Sequence, residues 1–175
     1  MNSIRIISGV YGGRLIGTPR NRATHPMGDR ERGAVFNMLQ HDLKDASVLD
    51  GFAGSGAMGL EALSRGAGKV TFFESDKKAL RTIAENVTKL GVAKQTMIAK
   101  NISDISGKFD IVIADPPYDK PQYALIIKLL GHLKPDGIFV LSHTKTAEPP
   151  VFKNLTMLSN KTYAGANIKI YKNFS

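Results

Sequence analysis

The 175-residue chain has no cysteine, which excludes a disulfide framework and a thiolate metal site. Its four histidines, His25, His41, His132 and His143, show no metal-ligand spacing, and no metal is expected. No stretch approaches the ~20 apolar residues of a membrane span. The apolar run in Met1-Asn2-Ser3-Ile4-Arg5-Ile6-Ile7 is too short for a signal peptide. A soluble, cytoplasmic protein is expected, with no membrane partner. Acidic residues are missing from both ends. Residues 1–28 carry Arg5, Arg14, Arg20 and Arg22 and no acid, and residues 151–175 carry Lys153, Lys161, Lys169 and Lys172 and no acid. Of the net charge of +9, only +1 falls on residues 29–150. Two basic ends on a nearly neutral body are the footprint of a polyanion partner. Lysines alone fit a solvated surface equally well. The arginines favour the partner, because guanidinium forks match phosphate oxygens.

The length suits one domain with a real hydrophobic core. Residues 4–10 and 14–17 read as two short strands around Tyr11-Gly12-Gly13, a hairpin signal. Residues 18–28 are polar, with Pro19 and Pro26, and read as a loop. Asp29 is placed to cap a helix running to about His41; Asp29, Arg30 and Arg32 could touch a cofactor or RNA, but a helix cap and surface charges explain them almost as well. From there strand and helix alternate. Strands are expected at 47–52, 69–74, 96–100, 109–114 and 137–142, and helices at 57–65, 76–90 and 122–133. Residues 155–162 and 167–172, around Ala164-Gly165, read as a closing hairpin. This is an α/β pattern: a mostly parallel seven-stranded sheet with helices on both faces and antiparallel strands at one edge. One boundary is expected near residue 28, between an N-terminal basic hairpin and loop (1–28) and the α/β body (29–175).

The first strand-to-helix turn of that body is rich in glycine. Gly54, Gly56 and Gly59 satisfy G-x-G-x-x-G between a strand and a helix. Glu74 lies 20 residues beyond Gly54, at the end of the next strand, where a carboxylate accepts hydrogen bonds from ribose hydroxyls. The spacing fits two nucleoside cofactors. A dinucleotide would set its pyrophosphate on the helix N-terminus. Asp50, just before the glycines, would repel a pyrophosphate, yet could attract the amino group and cationic sulfur of S-adenosylmethionine.

The run Phe109-Asp110-Ile111-Val112-Ile113-Ala114 ends in Asp115-Pro116-Pro117-Tyr118. The two prolines cannot donate to a ladder and each fixes its φ. A carboxylate, a rigid turn and a ring are thus displayed at the carboxyl end of a strand, the edge where open α/β sheets bind ligands. An exocyclic amine is a poor nucleophile because its lone pair is delocalised into the ring. Asp115 can accept one of its N–H groups and the Pro116 carbonyl the other, stabilising the positive charge that grows on nitrogen. Tyr118 can stack on the base, which is worth roughly 1–3 kcal/mol.

Asp50-Gly51-Phe52-Ala53-Gly54-Ser55-Gly56, Glu74 and Asp115-Pro116-Pro117-Tyr118 together resemble the class I, Rossmann-like methyltransferases of exocyclic amines. More narrowly, the run from Leu49 to Ala67 resembles the bacterial family that methylates a guanine N2 in 16S rRNA, the RsmD family. The likeness extends from Arg5-Ile6-Ile7-Ser8-Gly9 through Asp29-Arg30-Glu31-Arg32 to Tyr163-Ala164-Gly165. The resemblance implies S-adenosyl-L-methionine as cofactor, held by Asp50 to Gly56, Glu74, Ser75, Asn101 and Ile102, with Asp115, Pro116, Pro117 and Tyr118 as the catalytic group. It implies 16S rRNA, or the assembling small ribosomal subunit, as partner of a monomer, with Arg5, Arg14, Arg20 and Arg22 as phosphate contacts. Two departures stand out. His25-Pro26-Met27 replaces an Arg-Pro-Thr run, and Asn101 replaces an aspartate. The alternatives are a methyltransferase of DNA adenine or of a glutamine side chain, a nicotinamide-dependent oxidoreductase using the glycine loop, and a non-enzymatic rRNA-binding assembly factor.

Overall fold

A computed structural model describes residues 3–19, 27–146, 148–163 and 166–174. Arg20, Arg22, His25, Pro26, Ala164 and Gly165 lie outside them. Nine strands and four α-helices follow one another among the described residues: β1 (Ser3–Arg5), β2 (Leu15–Gly17), α1 (Asp29–Met38), β3 (Ser47–Gly51), α2 (Ala57–Ser64), β4 (Lys69–Phe73), α3 (Lys77–Leu90), β5 (Thr96–Ala99), β6 (Phe109–Ala114), α4 (Tyr123–Leu130), β7 (Leu133–His143), β8 (Leu155–Thr162) and β9 (Asn167–Asn173). β1 and β2 form a small antiparallel pair. The other seven strands form one sheet in the order β5-β4-β3-β6-β7-β9-β8. β3 to β7 run parallel, and β9 is antiparallel to both β7 and β8. This is the expected mostly parallel seven-stranded sheet with an antiparallel edge.

Side-chain alternation splits the core in two. Val48, Val70, Phe72, Ile111, Ile113, Val140 and Ile168 pack under α1, α2, α3 and the hairpin. Leu49, Phe73, Val112, Ala114, Phe139 and Leu141 pack under α4 and Phe152. The strands are apolar on both faces because both are covered. α3 shows how the local sequence sets an element. The Asp76 side chain accepts from the Lys78 and Ala79 amides, and Gly91 ends the helix at φ 74°. Between them Ala79, Ile83, Val87 and Leu90 face the sheet. Gly59 on α2 has a packing role, since a Cβ there would lie 2.4 Å from the Phe72 ring and 2.6 Å from Val70.

The start of α1 differs from expectation. Gly28 is its N-cap, and Asp29 is the first helical residue, paired at 2.8 Å with Arg32. Arg32 is no surface charge: it is 1% exposed, and donates to the carbonyls of Met27 at 3.1 Å and Arg5 at 2.7 Å. A buried guanidinium needs such partners, and folding back to reach them draws Asp29 away from the cap.

Buried polar groups fasten the hairpin to the body. Glu61 on α2 is fully buried and accepts from the Ile7 amide at 2.7 Å, the Ser8 amide at 3.1 Å and Arg65 Nε at 2.6 Å. Ser64 Oγ accepts from the Tyr11 amide, and the Ser64 carbonyl from Val10. Gly9 (φ 84°) sits so close to that carbonyl that a Cβ would lie 1.8 Å from it. Asn86 on α3 accepts from the Gly17 amide at 2.8 Å and donates to the carbonyls of Gly17 and Ser55, both at 2.9 Å. Glu61→Ala would take the acceptor from two partly buried amides and leave the Arg65 guanidinium with Asn37 alone. It is expected to lower stability by about 3 kcal/mol, read by urea denaturation, with amide exchange speeding first at Ile7 and Ser8.

Candidate functional site

The register of the sheet gathers the site. Asp50 pairs with Phe72 on β4 and with Ile113 on β6, so Glu74 and Asp115 each lie two residues further along a neighbouring strand. Leu141 pairs with Ala114, which sets Ser142 of β7 beside Asp115. A spacing of two preserves the face in a strand. Asp50, Glu74, Asp115 and Ser142 therefore share the face covered by α1, α2 and the hairpin, at the carboxyl edge of the parallel strands. Each expected site residue on β3, β4 and β6 is at this edge.

The loop after β3 is shaped by unusual backbone. Phe52, Gly54 and Gly56 all have positive φ, at 64°, 56° and 79°. Glycine takes such values freely, but for a phenylalanine they are uncommon and costly, and strain of this kind collects at ligand clamps. The loop is held from both sides. Glu74 Oε2 accepts from the Gly54 amide at 2.9 Å, while Oε1 accepts from the amides of Ser75 and Asp76, both at 2.8 Å. Asn86 holds the Ser55 carbonyl. A carboxylate has about four acceptor sites, so Glu74 organises the loop with three and has one left among the described residues.

Asp50 is displayed differently from the sequence reading. It is 1% exposed, and its Oδ2 accepts from the Gly59 amide at 2.9 Å. It thus satisfies a free N–H in the first turn of α2 from a distance. Burial, with repulsion from Asp115 and Glu74 and against the Gly59 bond, raises its pKa to about 7. Asp115 is pushed up to about 6 by burial, while hydrogen bonding from Ser142, the Met27 amide and Tyr118 pulls the other way. Three carboxylates thus face one another, and their mutual repulsion is what a bound cation would relieve. Among the described residues no cluster of His, Cys, Asp or Glu is arranged to hold a metal ion.

The tetrapeptide is rigid at both ends. Pro116 is buried, Pro117 and Tyr118 are half-buried, and the Pro117 carbonyl accepts from the Lys120 amide at 3.1 Å. Among the described residues no donor bonds the Pro116 carbonyl, which leaves it able to accept. The Tyr118 and Ser142 hydroxyls are 2.6 Å apart. Burial and the neighbouring Asp115 raise the Tyr118 phenol to about 12, so its proton stays on. Glu31, from the first turn of α1, adds to that rise.

Asn101 and Ile102 follow β5 at the same edge. Asn101 is exposed, and both its backbone and side-chain amides donate to Asp104 Oδ2, at 2.8 and 3.1 Å. Ile102 packs partly against the α4-side core. Arg5 and Arg14 are exposed on the hairpin, with Arg14 over the Tyr11 ring at 5.9 Å. The sequence reading missed Ser142 and Asn86. Only Ser142 carried a usable signal, as a polar residue closing an apolar strand next to β6.

A family model described as conserved hypothetical protein 95 matches residues 4–172. The ribosomal RNA small subunit methyltransferase D of Haemophilus influenzae is 33% identical over 181 residues, which cover 97% of this chain and 94% of that protein. The protein of the same name from Escherichia coli is 33% identical over 177 residues, covering 97% and 89%. Among solved structures, Escherichia coli yhhF superposes with a TM-score of 0.86 at 29% identity, covering 98% of both chains. A hypothetical protein of Thermus thermophilus superposes at 0.80 with 27% identity, covering 95% of this chain and 98% of that one.

Proposed function

The chain belongs to the conserved hypothetical protein 95 family, the RsmD family, and on that premise we propose that it transfers a methyl group from S-adenosylmethionine to the exocyclic N2 amine of a guanine in 16S rRNA. The observation that carries this reading is the convergence of Asp50, Glu74 and Asp115 on one face of one sheet edge, beside a loop with three left-handed residues.

The residues fit the cofactor. Glu74 keeps a free acceptor site for a ribose hydroxyl. Asp50 supplies negative charge toward an ammonium and a sulfonium. The positive φ of Gly54 and Gly56 lets the backbone approach closely. Ser75, Asn101 and Ile102 flank the nucleoside end. When bound, S-adenosylmethionine supplies an electrophilic methyl group on a sulfonium.

Asp115 accepts one N–H of the guanine amine and the Pro116 carbonyl the other. Together they turn the nitrogen pyramidal and hold the charge that develops on it, a preorganised electrostatic role. The prolines keep the two acceptors in register, where an error of an ångström matters. Tyr118 offers a stacking face to a base drawn out of its helix. Arg5 and Arg14, on a hairpin fastened by Glu61 and Asn86, clamp phosphates and give position without base readout. Arg20 and Arg22 continue that charge in the chain.

A labelled methyl-donor assay with rRNA, duplex DNA and protein offered separately tests the reading. Label is expected in rRNA alone. Label in DNA adenine or in a glutamine side chain, with none in rRNA, would move the activity to another amine.

A further inference from the structure

Tyr118 needs only its ring to stack on a base, yet its hydroxyl is bonded at 2.6 Å to Ser142 Oγ, at a position only 1% exposed. A buried hydroxyl is costly without a partner, and alanine would fill the site more cheaply if packing were its only task. The register Ala114↔Leu141 sets Ser142 beside Asp115 on the adjacent strand, and the Ser142 hydroxyl helps to hold down the Asp115 pKa against burial. We propose that Ser142 is a positioning residue whose hydroxyl joins Tyr118 and Asp115 into one unit, so that ring and carboxylate meet the target base in a fixed relation. This rests on the reading of Asp115–Tyr118 as the amine-binding edge.

Proton accounting supports the unit. Asp115, when ionised, only accepts, while the two hydroxyls hold one proton each. Tyr118 can donate to Ser142 and Ser142 to Asp115. In the other order, Ser142 donates to Tyr118 and Tyr118 to Asp115. Either order commits the phenol to the protein rather than to the substrate. With the Met27 amide on Asp115 as well, the carboxylate still has a lone pair for a substrate N–H. The prolines fix the backbone from Asp115 to Tyr118, and Ser142 closes the loop from the neighbouring strand. Loss of either hydroxyl breaks the same unit.

The test is a double-mutant cycle with Tyr118→Phe, Ser142→Ala and the pair, read as kcat for methyl transfer to rRNA and as cofactor Kd by calorimetry. Each single change is expected to lower kcat about tenfold, and the pair no further than either alone, because the two groups act together. Cofactor Kd is expected to stay the same in all four proteins. A readout free of turnover is the carboxyl ¹³C titration of Asp115 in the cofactor-free protein. Ser142→Ala is expected to raise its midpoint, since a donor to the ionised form is lost. Asp50 on β3, Glu74 after β4 and Glu31 on α1, the charged neighbours, are present in both proteins. Additive losses, wild-type kcat in Ser142→Ala, or an unmoved Asp115 titration would each overturn the proposal. Absence of methyl transfer by the wild-type chain would instead overturn the function proposed above, and the titration would still decide the unit.

Discussion

Asp115→Asn is expected to lower kcat for methyl transfer by about 10²–10³-fold while leaving cofactor affinity within about threefold of wild type. The asparagine keeps the shape of the side chain and one carbonyl acceptor. It loses the negative charge opposite the nitrogen that becomes positive. Removing one preorganised partner of a developing charge typically has an effect of this size. Stopped-flow or quench-flow single turnovers separate it from RNA binding. The pH profile carries the same information. Asp115 has its pKa near 6 and Asp50 near 7 in the free protein. Both must be ionised, so kcat/KM falls as pH drops through about 7 and falls more steeply below 6. A bound cation lowers the Asp50 value, so the upper part of the acid limb lies at lower pH for kcat than for kcat/KM. Full turnover by Asp115→Asn would remove the carboxylate from the chemistry.

Asp50→Asn is expected to divide stability from function. Its carboxyl rises from an ordinary 3.8 to about 7 on folding. A group raised in this way favours the fold in its protonated form. Its contribution is complete below about 4 and is lost as pH climbs through 7. At about 1.4 kcal/mol per pKa unit, the cofactor-free protein loses about 4 kcal/mol from this group between pH 4 and pH 8. Asparagine stays neutral and can still accept from Gly59. The variant should therefore melt higher than wild type at pH 8 without cofactor, and the two should converge near pH 4. Cofactor affinity should fall about 10- to 100-fold, the worth of one charge-assisted contact. Calorimetry and a pair of melting curves check both halves. Equal melting at pH 8 would mean that burial does not raise the Asp50 carboxyl.

Much of the fold was legible because it is written in periodicity. The run 109–114 matched its strand residue for residue, and α3 differed by one residue, because apolar alternation and an Asp76 cap are local signals. β7 was read five residues short, four at its start and one at its end. Pro135-Asp136-Gly137 is a turn signal, but here the strand absorbs it as a bulge. Its offset from β6 grows from Phe109↔Leu133 to Ile111↔Ile138, with Asp136 at φ 57°. β1 was read too long: Ile6 still bonds across to Arg14 and Gly13, but residues 7–10 leave the hairpin to dock on α2.

The site was legible where chemistry sits in a contiguous motif, as in Asp50 to Gly56 and Asp115 to Tyr118. It was illegible where a single polar residue acts across the fold. Ser142 meets Tyr118 over 24 positions, and Asn86 meets Ser55 over 31. A lone serine or asparagine carries no periodic signal, and only the assembled sheet brings it to its partner. The surface-charge reading of Arg32 fails for the same reason. Its charge suggests solvent, while its three acceptors, Met27, Arg5 and Asp29, are brought together only by docking the hairpin.

The most direct test of the account is the identity of the methylated nucleoside. Small-subunit rRNA from cells lacking the protein, treated with the purified chain and labelled S-adenosylmethionine, is digested to nucleosides and resolved by mass spectrometry. The account predicts one new N2-methylguanosine per rRNA, absent with Asp115→Asn. Label on any other base, or an equal yield from the variant, would contradict it.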